Sequence, residues 1–201
     1  ALLLAAALPV TAVWAGEEPV RAQKEQTVYV NADEDGSPKK IIVSSWLKNS
    51  EGAGTLQDYS DLGNIENVKG QEGYTAGEDG SILWDAQGED IYYQGETSQE
   101  LPVEVKLTYY LEGQEISPQE LAGKSGQVKI RIDYVNHSRQ QVETQGQQRE
   151  TVTPFLMITG MILPNENFSN VQVKNGKVIA DGQKSLVVGL GLPGLAEELS
   201  L

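Results

Sequence analysis

The sequence contains no cysteine and only one histidine, His137, among its 201 residues. Without thiols the chain has no disulfides, no thiolate nucleophile and no cysteine-based zinc site. One histidine is too few for a histidine-rich zinc site, and a Ser–His–Asp triad would have to use His137 without an accompanying G-x-S-x-G motif. His137 follows Asn136 in a polar stretch, so we expect an exposed loop residue. We predict no metal, no cofactor and no enzymatic activity.

Basic residues are scarce. Asp and Glu number 29 against 15 Lys and Arg, which gives a formal net charge of −14. Such a surface repels nucleic acid and anionic lipid headgroups at ordinary salt concentrations. The composition therefore excludes DNA and RNA as expected partners.

The N-terminal apolar run is short. Residues 1–15, ALLLAAALPVTAVWA, carry no charge but fall below the roughly 20 residues that a membrane-spanning helix needs. They end in Val13-Trp14-Ala15, which is typical of a signal peptidase site. We expect residues 1–15 to be a signal peptide remnant and residues 16–25 a flexible lead-in. The protein is then exported to the cell envelope, with any membrane attachment through a segment outside this sequence. An exported chain of this size without cysteine suggests a Gram-positive bacterium.

The first half predicts a small β-rich α+β module over residues 26–96. Thr27–Val30 and Lys40–Val43 flank an acidic turn cluster, which indicates a hairpin. Residues 49–81 are rich in Gly, Asp, Asn and Ser and predict loops with at most one helical turn. Two brief strands are expected at residues 82–84 and 90–93.

The second half predicts an immunoglobulin-like antiparallel β-sandwich over residues 99–195, and residues 196–201 begin a truncated continuation. Apolar and polar residues alternate over 103–112 and 128–134, which is typical of half-buried antiparallel strands. Residues 152–163 are apolar on both faces and predict a central strand covered on both sides. Asn175-Gly176 predicts a hairpin turn. A final strand is expected at residues 186–188.

A single helical turn is predicted between the two alternating strands. Ser117 can cap it, Pro118 suits its first position, and Glu120 can reach back to the N–H of the cap. Ile116 and Leu121 are placed for a hydrophobic staple. Gly123 can end the turn in a left-handed conformation.

Three sequence motifs imitate nucleotide or calcium sites but lack essential parts. Residues 189–194 fit G-x-G-x-x-G, yet Pro193 removes a backbone donor and no βαβ unit surrounds the motif. Gly123-Lys124-Ser125 lacks the earlier glycine of a P-loop, which is Pro118 here. Residues 31–36 open like an EF-hand loop, but Ile42 replaces the bidentate glutamate. We interpret all three as turns.

Four aromatic residues raise the question of sugar binding, because exposed aromatic faces stack on sugar rings. They are Trp46, Trp84, Tyr92 and Tyr93. The competing interpretation, which we favour, is that they form the core of the first module. If a ligand site exists, Trp84, Tyr92 and Tyr93 are its candidate residues. The 29 acids also allow many carboxylate pairs, but no spacing singles out one for glycoside hydrolysis.

Several short motifs in this sequence resemble those of a known group of proteins. They are TVYV at 27–30, WLKN at 46–49, IENVKG at 65–70, LPV at 101–103, Tyr109, LEG at 111–113, ELAGKSG at 120–126, Asn136, Pro154-Phe155, Phe168, Asn170-Val171, Asn175-Gly176 and PGL at 193–195. With these motifs the chain is similar to uncharacterised exported cell-envelope proteins of Gram-positive, clostridial-type bacteria, and more distantly to phage-infection-protein-like surface proteins. The resemblance spans roughly residues 25–201 and implies the compartment and the architecture, but no activity and no binding residues.

These observations together predict a non-catalytic extracellular domain of a bacterial surface protein, with a structural or interaction role. Its partner would be an unknown protein or glycan at the cell surface. The alternative is a carbohydrate-binding ectodomain that contacts wall or host glycans through Trp84, Tyr92 and Tyr93.

Overall fold

The computed structural model describes residues 20–144, 147–192 and 198–200, and it is mainly β. The chain forms two compact units. The first comprises the described residues up to Val28 together with Ile42–Thr97. The second comprises Tyr29–Ile41 and the described residues from Ser98 onwards. The predicted signal peptide lies outside the described residues, as do residues 16–19 of the lead-in and much of the expected continuation.

The first unit is built on two four-stranded sheets, ordered β1-β4-β7-β6 and β2-β3-β8-β5. Its core consists of buried apolar side chains contributed by β3, β4, β7 and β8, with Leu47, Leu56 and Ile91 fully buried. The strands are β1 (Val20–Arg21), β2 (Gln23–Ala32), β3 (Pro38–Lys48), β4 (Leu56–Tyr59), β5 (Gly63–Asn67), β6 (Tyr74–Ala76), β7 (Ser81–Trp84) and β8 (Ile91–Thr97).

Two expectations for this unit are wrong. Among its described residues there is no helix, because residues 49–81 supply β4, β5 and β6 to the sheets instead of loops with a helical turn. Residues 20–25, expected to be flexible, belong to β1 and β2, and Val20 pairs in parallel with Leu56. Both errors have one cause: short polar strands are stabilised by pairing with distant strands, which local composition does not reveal.

The predicted hairpin is formed by β2 and β3. Its turn closes through Asp33 N–H donating to Ser37 O at 2.8 Å and Gly36 N–H donating to Asp33 O at 3.0 Å. Its tip belongs to the second unit, where Leu107 N–H donates to Asp35 O at 2.8 Å. The hydroxyl of Tyr109 donates to the carbonyl of Glu34 at 2.6 Å.

The second unit contains a four-stranded sheet, β10-β9-β11-β17, and a three-stranded sheet, β14-β16-β15, beside a separate β12–β13 hairpin. The two larger sheets share one core, in which Ile132 and Tyr134 of β11 lie against Met157 and Met161 of β14. The elements are β9 (Val103–Leu111), β10 (Gln114–Ile116), α1 (Pro118–Leu121), β11 (Val128–Asn136), β12 (Gln140–Thr144), β13 (Gln147–Thr151), β14 (Met157–Pro164), β15 (Gly176–Asp181), β16 (Lys184–Gly191) and β17 (Glu198–Ser200).

The alternating strands and the helical turn are confirmed. β9 and β11 pair antiparallel, with Lys106 opposite Asp133. Ser117 Oγ accepts from Glu120 N–H at 3.3 Å and donates to Glu120 Oε2 at 2.8 Å. Hydrogen bonds from the Ser117 hydroxyl and then from the Ser117 backbone N–H lower the pKa of Glu120, so the glutamate reaches back to the cap as predicted. Gly123 is left-handed, with φ of 76°.

The predicted position of the apolar strand is wrong. Among the described residues β14 pairs only with β16 and lies at an edge of its sheet. One of its faces meets the core, and the other is open. The predicted turn is also displaced: β15 begins at Gly176 and pairs with β16 across Gly182, because Val173 packs against the core instead of forming a partner strand.

Candidate functional site

Trp84 and Tyr93, two of the three predicted ligand residues, lie in the core. Neither side chain is exposed, and their rings stack with centroids 5.3 Å apart. A buried ring offers no face to a sugar, so the prediction is wrong for these two residues. β8 alternates in burial, and Tyr92 and Tyr93 therefore point to opposite faces.

Tyr92, the third predicted residue, lies half-buried on the outer face of the sheet beside Trp46 of β3. The two rings stack with centroids 5.4 Å apart and planes 13° from parallel. Lys69 places its Nζ 3.6 Å from the centroid of Tyr92, and Lys48 places its Nζ 4.4 Å from that of Trp46. Lys48 also pairs with Glu25 of β2. We call these five side chains the aromatic–lysine row.

The aromatic–lysine row is held in place by Asp90. The indole N–H of Trp46 donates to Asp90 Oδ2 at 2.8 Å, and the backbone N–H of Asn49 donates to Oδ1 at 2.7 Å. The bond from Asn49, followed by that from Trp46, lowers the pKa of Asp90 below its ordinary value. Each of the two rings thus stacks on the other and also contacts a lysine. These contacts stabilise the sheet and occupy ring surface that a sugar would need.

A shallow depression of about 400 Å³ adjoins the row. Lys69, Glu72, Asp90 and Tyr92 line much of it. Two of its acids already have partners: Asn67 Nδ2 donates to Glu72 Oε2 at 2.8 Å, and Asp90 accepts from Trp46 and Asn49. Over the parts of the chain that the structure describes, no group of three or more His, Asp and Glu side chains is placed to hold a metal ion.

The remaining sequence candidates are exposed and locally paired. His137 Nε2 lies 3.0 Å from Glu104 Oε2 at the surface. In the hairpin turn Asp33 pairs with Lys39, and Asp35 accepts from Ser37 N–H at 2.9 Å, which lowers the pKa of Asp35. The carboxylates of the turn therefore point to different partners instead of converging on one point.

The outer side of the β14-β16-β15 sheet, by contrast, is apolar and open. Ile158 is 70% exposed, Ile162 62% and Leu190 59%. Soluble proteins seldom expose contiguous apolar groups of this kind unless they bind something. We call this surface the apolar face. Its side chains are Leu156, Ile158, Ile162, Ile179, Leu186, Val188, Leu190 and Leu192.

Strand register places these side chains in rows across the sheet. Ile158 lies opposite Leu190, Gly160 opposite Val188, and Ile162 opposite Leu186. Charges lie at the border, where Asp181 is opposite Lys184. The sequence predicts this apolar segment with cover on both of its sides, whereas in the structure only one side meets the core.

The central position on β14, Gly160, forms a hollow in the apolar face. A Cβ atom built on Gly160 would meet no atom within 4 Å, and the residue does not adopt a positive φ. The exposed side chains of Ile158 and Ile162 stand on either side of it along the strand. The apolar face is therefore uneven along β14, where two exposed isoleucines flank an open glycine.

Comparisons with protein-family models, curated proteins and solved structures gave no match. The apolar face and the aromatic–lysine row are therefore interpreted from their own geometry.

Within the described ranges, no helix has the length and apolar character needed to cross a membrane.

Proposed function

We propose that this chain is a non-catalytic interaction domain of an exported cell-envelope protein, and that the apolar face is its contact surface. The observation that carries the proposal is the exposure of Ile158, Ile162 and Leu190 on one side of a single sheet. Fully burying one such side chain stabilises by about 1.5–3 kcal/mol, so covering the face is worth several such contributions. A binding partner of the domain buries the apolar face.

Export is supported by the sequence alone. Residues 1–15 resemble the end of a secretory signal, and the chain has no cysteine. Net charge of −14 supports solubility outside the cell and disfavours anionic polymers as partners. Protease treatment of intact producing cells checks this part: the domain is digested if it lies outside and is protected if it lies in the cytoplasm.

An immunoglobulin-like arrangement of the second unit belongs to the same proposal. Its support is a pair of antiparallel sheets, of four and three strands, over one core. Aligned sandwiches of this type keep the strand directions of the two sheets within about 30°. An experimental structure with sheets crossed near 90° would contradict it.

Glycan binding through the predicted aromatic platform has less support. Trp84 and Tyr93 are buried, and Tyr92 stacks between Trp46 and Lys69. The interaction proposal uses residues that are exposed already and requires no unpacking of the core.

Site-directed photo-crosslinking in producing cells tests the proposal. A photo-crosslinking residue replaces Ile158 in one strain and Tyr59, which is 51% exposed on the first unit, in a control strain. We expect a discrete protein adduct from position 158 and none of the same size from position 59. Identical adducts from both positions, or none from 158, would remove the support for the apolar face as a contact surface.

A further inference from the structure

The apolar face carries an exposed isoleucine and an open glycine one row apart. Along β14, the most exposed side chain, Ile158, is two residues from the hollow at Gly160. Both positions point to the same side of the sheet, because side chains alternate along a strand. An exposed isoleucine and an open glycine, one row apart on the same strand, allow two identical faces to interlock.

We infer that the apolar face binds a second copy of this chain, with Ile158 of each copy seated over Gly160 of the other. This inference rests on the proposed function and names its partner. A two-fold axis that lies between the two sheets and runs across the strands, midway between the rows of Ile158 and Gly160, brings about this arrangement. Such an interface is isologous, since the same patch serves both copies.

The same axis also matches positions on β16. It places Leu190 opposite Val188 of the other copy, because the row of Ile158 exchanges with the row of Gly160. Packed sheets lie about 10 Å apart with interdigitating side chains, and the hollow at Gly160 makes room for the isoleucine. No charged residue falls within these rows on β14 or β16.

The border of the face is compatible with this arrangement. Lys184 Nζ lies 3.9 Å from Asp181 Oδ2 of its own chain, so these two charges at the border largely balance each other. Lys177, opposite Val188, lies on the outer strand β15. A second copy therefore meets an apolar centre and a polar rim, as dimer interfaces have.

The substitution Gly160→Val tests the inference without disturbing the monomer. A Cβ atom on Gly160 meets no atom within 4 Å in one chain, and valine favours strand conformation. In the dimer the same side chain collides with Ile158 of the facing copy. We expect the wild-type chain to dimerise in sedimentation velocity at concentrations up to about 100 µM, and Gly160→Val to weaken dimerisation roughly tenfold or more.

Two further variants make the test specific. Gly73→Val is the matched control, because Gly73 also has open space around it but lies in the first unit, and dimerisation should be unchanged. Adding Ile158→Ala to Gly160→Val makes room for the valine of the facing copy, so the double variant should dimerise better than Gly160→Val alone. Circular dichroism and thermal unfolding confirm that all variants are folded.

Several outcomes would overturn the inference. They are a wild-type chain that stays monomeric over this range, a Gly160→Val variant that dimerises as well as wild type, and a double variant with no recovery. The proposed function fails separately, through photo-crosslinking. An adduct between Ile158 and a different envelope protein would keep the interaction domain and exclude the second copy as its partner.

Discussion

At the scale of single residues, the most unusual feature is an ionic group in the core of the first unit. Asp58 is only 8% exposed. It accepts the hydroxyl of Tyr93 at 2.7 Å and Lys24 Nζ at 3.0 Å. Burial disfavours the charged ammonium, but hydrogen bonds with Tyr93 and Asp58 outweigh it and raise the pKa of Lys24 above its ordinary value of 10.5. The trio ties β2, β4 and β8 together.

This trio predicts a pH-dependent loss of stability. Because the pKa of Lys24 is higher in the folded chain than in the unfolded chain, its contribution is complete below pH 10.5 and disappears as pH rises through the folded pKa. Lys24→Met should lower the free energy of unfolding by about 1–3 kcal/mol at pH 7, because it leaves buried Asp58 without its cation. Urea unfolding should show the difference from wild type shrinking as the pH rises beyond 10.5. Lys174→Met, an exposed control, should behave as wild type throughout.

The tryptophans of the first unit predict unequal losses. Trp84 is fully buried among apolar side chains, whereas Trp46 is half-buried in the aromatic–lysine row. Trp84→Ala should cost about 3–5 kcal/mol because it leaves a cavity. Trp46→Ala should cost clearly less, because solvent fills the space and part of the ring is already exposed. Chemical denaturation followed by circular dichroism compares them, and equal losses would contradict the assignment of Trp84 to the core.

Sequence reasoning at this scale has a clear limit. Alternation requires Tyr92 and Tyr93 to face opposite sides, but it does not say which side is the core. That choice depends on Leu47, Leu56 and Ile82 meeting Tyr93 from other strands. The interpretation of Trp84 and Tyr93 as core residues, favoured on the sequence, is the one that the structure supports.

At the scale of elements, the tip of the β2–β3 hairpin fits closely against β9. Gly36 has a φ of 94°, and a Cβ on it would lie 2.0 Å from the carbonyl oxygen of Val105. A side chain is thus excluded both by the backbone conformation and by contact with backbone that cannot move away easily.

Gly36→Ala should therefore destabilise the second unit strongly, by about 3 kcal/mol or more, since strain and overlap add. Gly113→Ala is the matched control. Its φ is 81°, but nothing lies within 4 Å of its Cβ position, so only the backbone strain of about 1–2 kcal/mol applies. Urea unfolding monitored by tyrosine fluorescence measures both. Equal losses would show that the tip does not approach β9 as closely as described.

Elements with a strong local signal were predictable, and those defined by distant partners were not. The alternation of β9 and β11 and the cap at Ser117 depend only on residues that are close in sequence, so the sequence predicts them. The position of β14 at a sheet edge could not be predicted from adjacent residues. A strand with apolar residues on both sides has the same sequence pattern whether its second side is covered by its own chain or by another chain. The exposed apolar face was missed for that reason.

At the scale of the whole molecule, charge opposes association. Two copies with a net charge of −14 each repel, and the apolar face lacks the charges that would offset this repulsion. Added salt screens such repulsion, with a Debye length of about 10 Å at 0.1 M and 3 Å at 1 M. Dimerisation should therefore strengthen several-fold between about 0.05 and 0.5 M NaCl in sedimentation velocity. Weakening with salt would instead assign the interface to ion pairs.

The division of the hairpin between the two units has a consequence for biosynthesis. Its tip, Tyr29–Ile41, belongs to the second unit, yet the strand that receives it begins at Val103. A ribosome adding roughly 5–20 residues per second needs several seconds to make the stretch between them. During that interval all strands of the first unit are synthesised, but β9, which contacts the tip, does not yet exist. The tip can therefore take its place against β9 only after every strand of the first unit has been made.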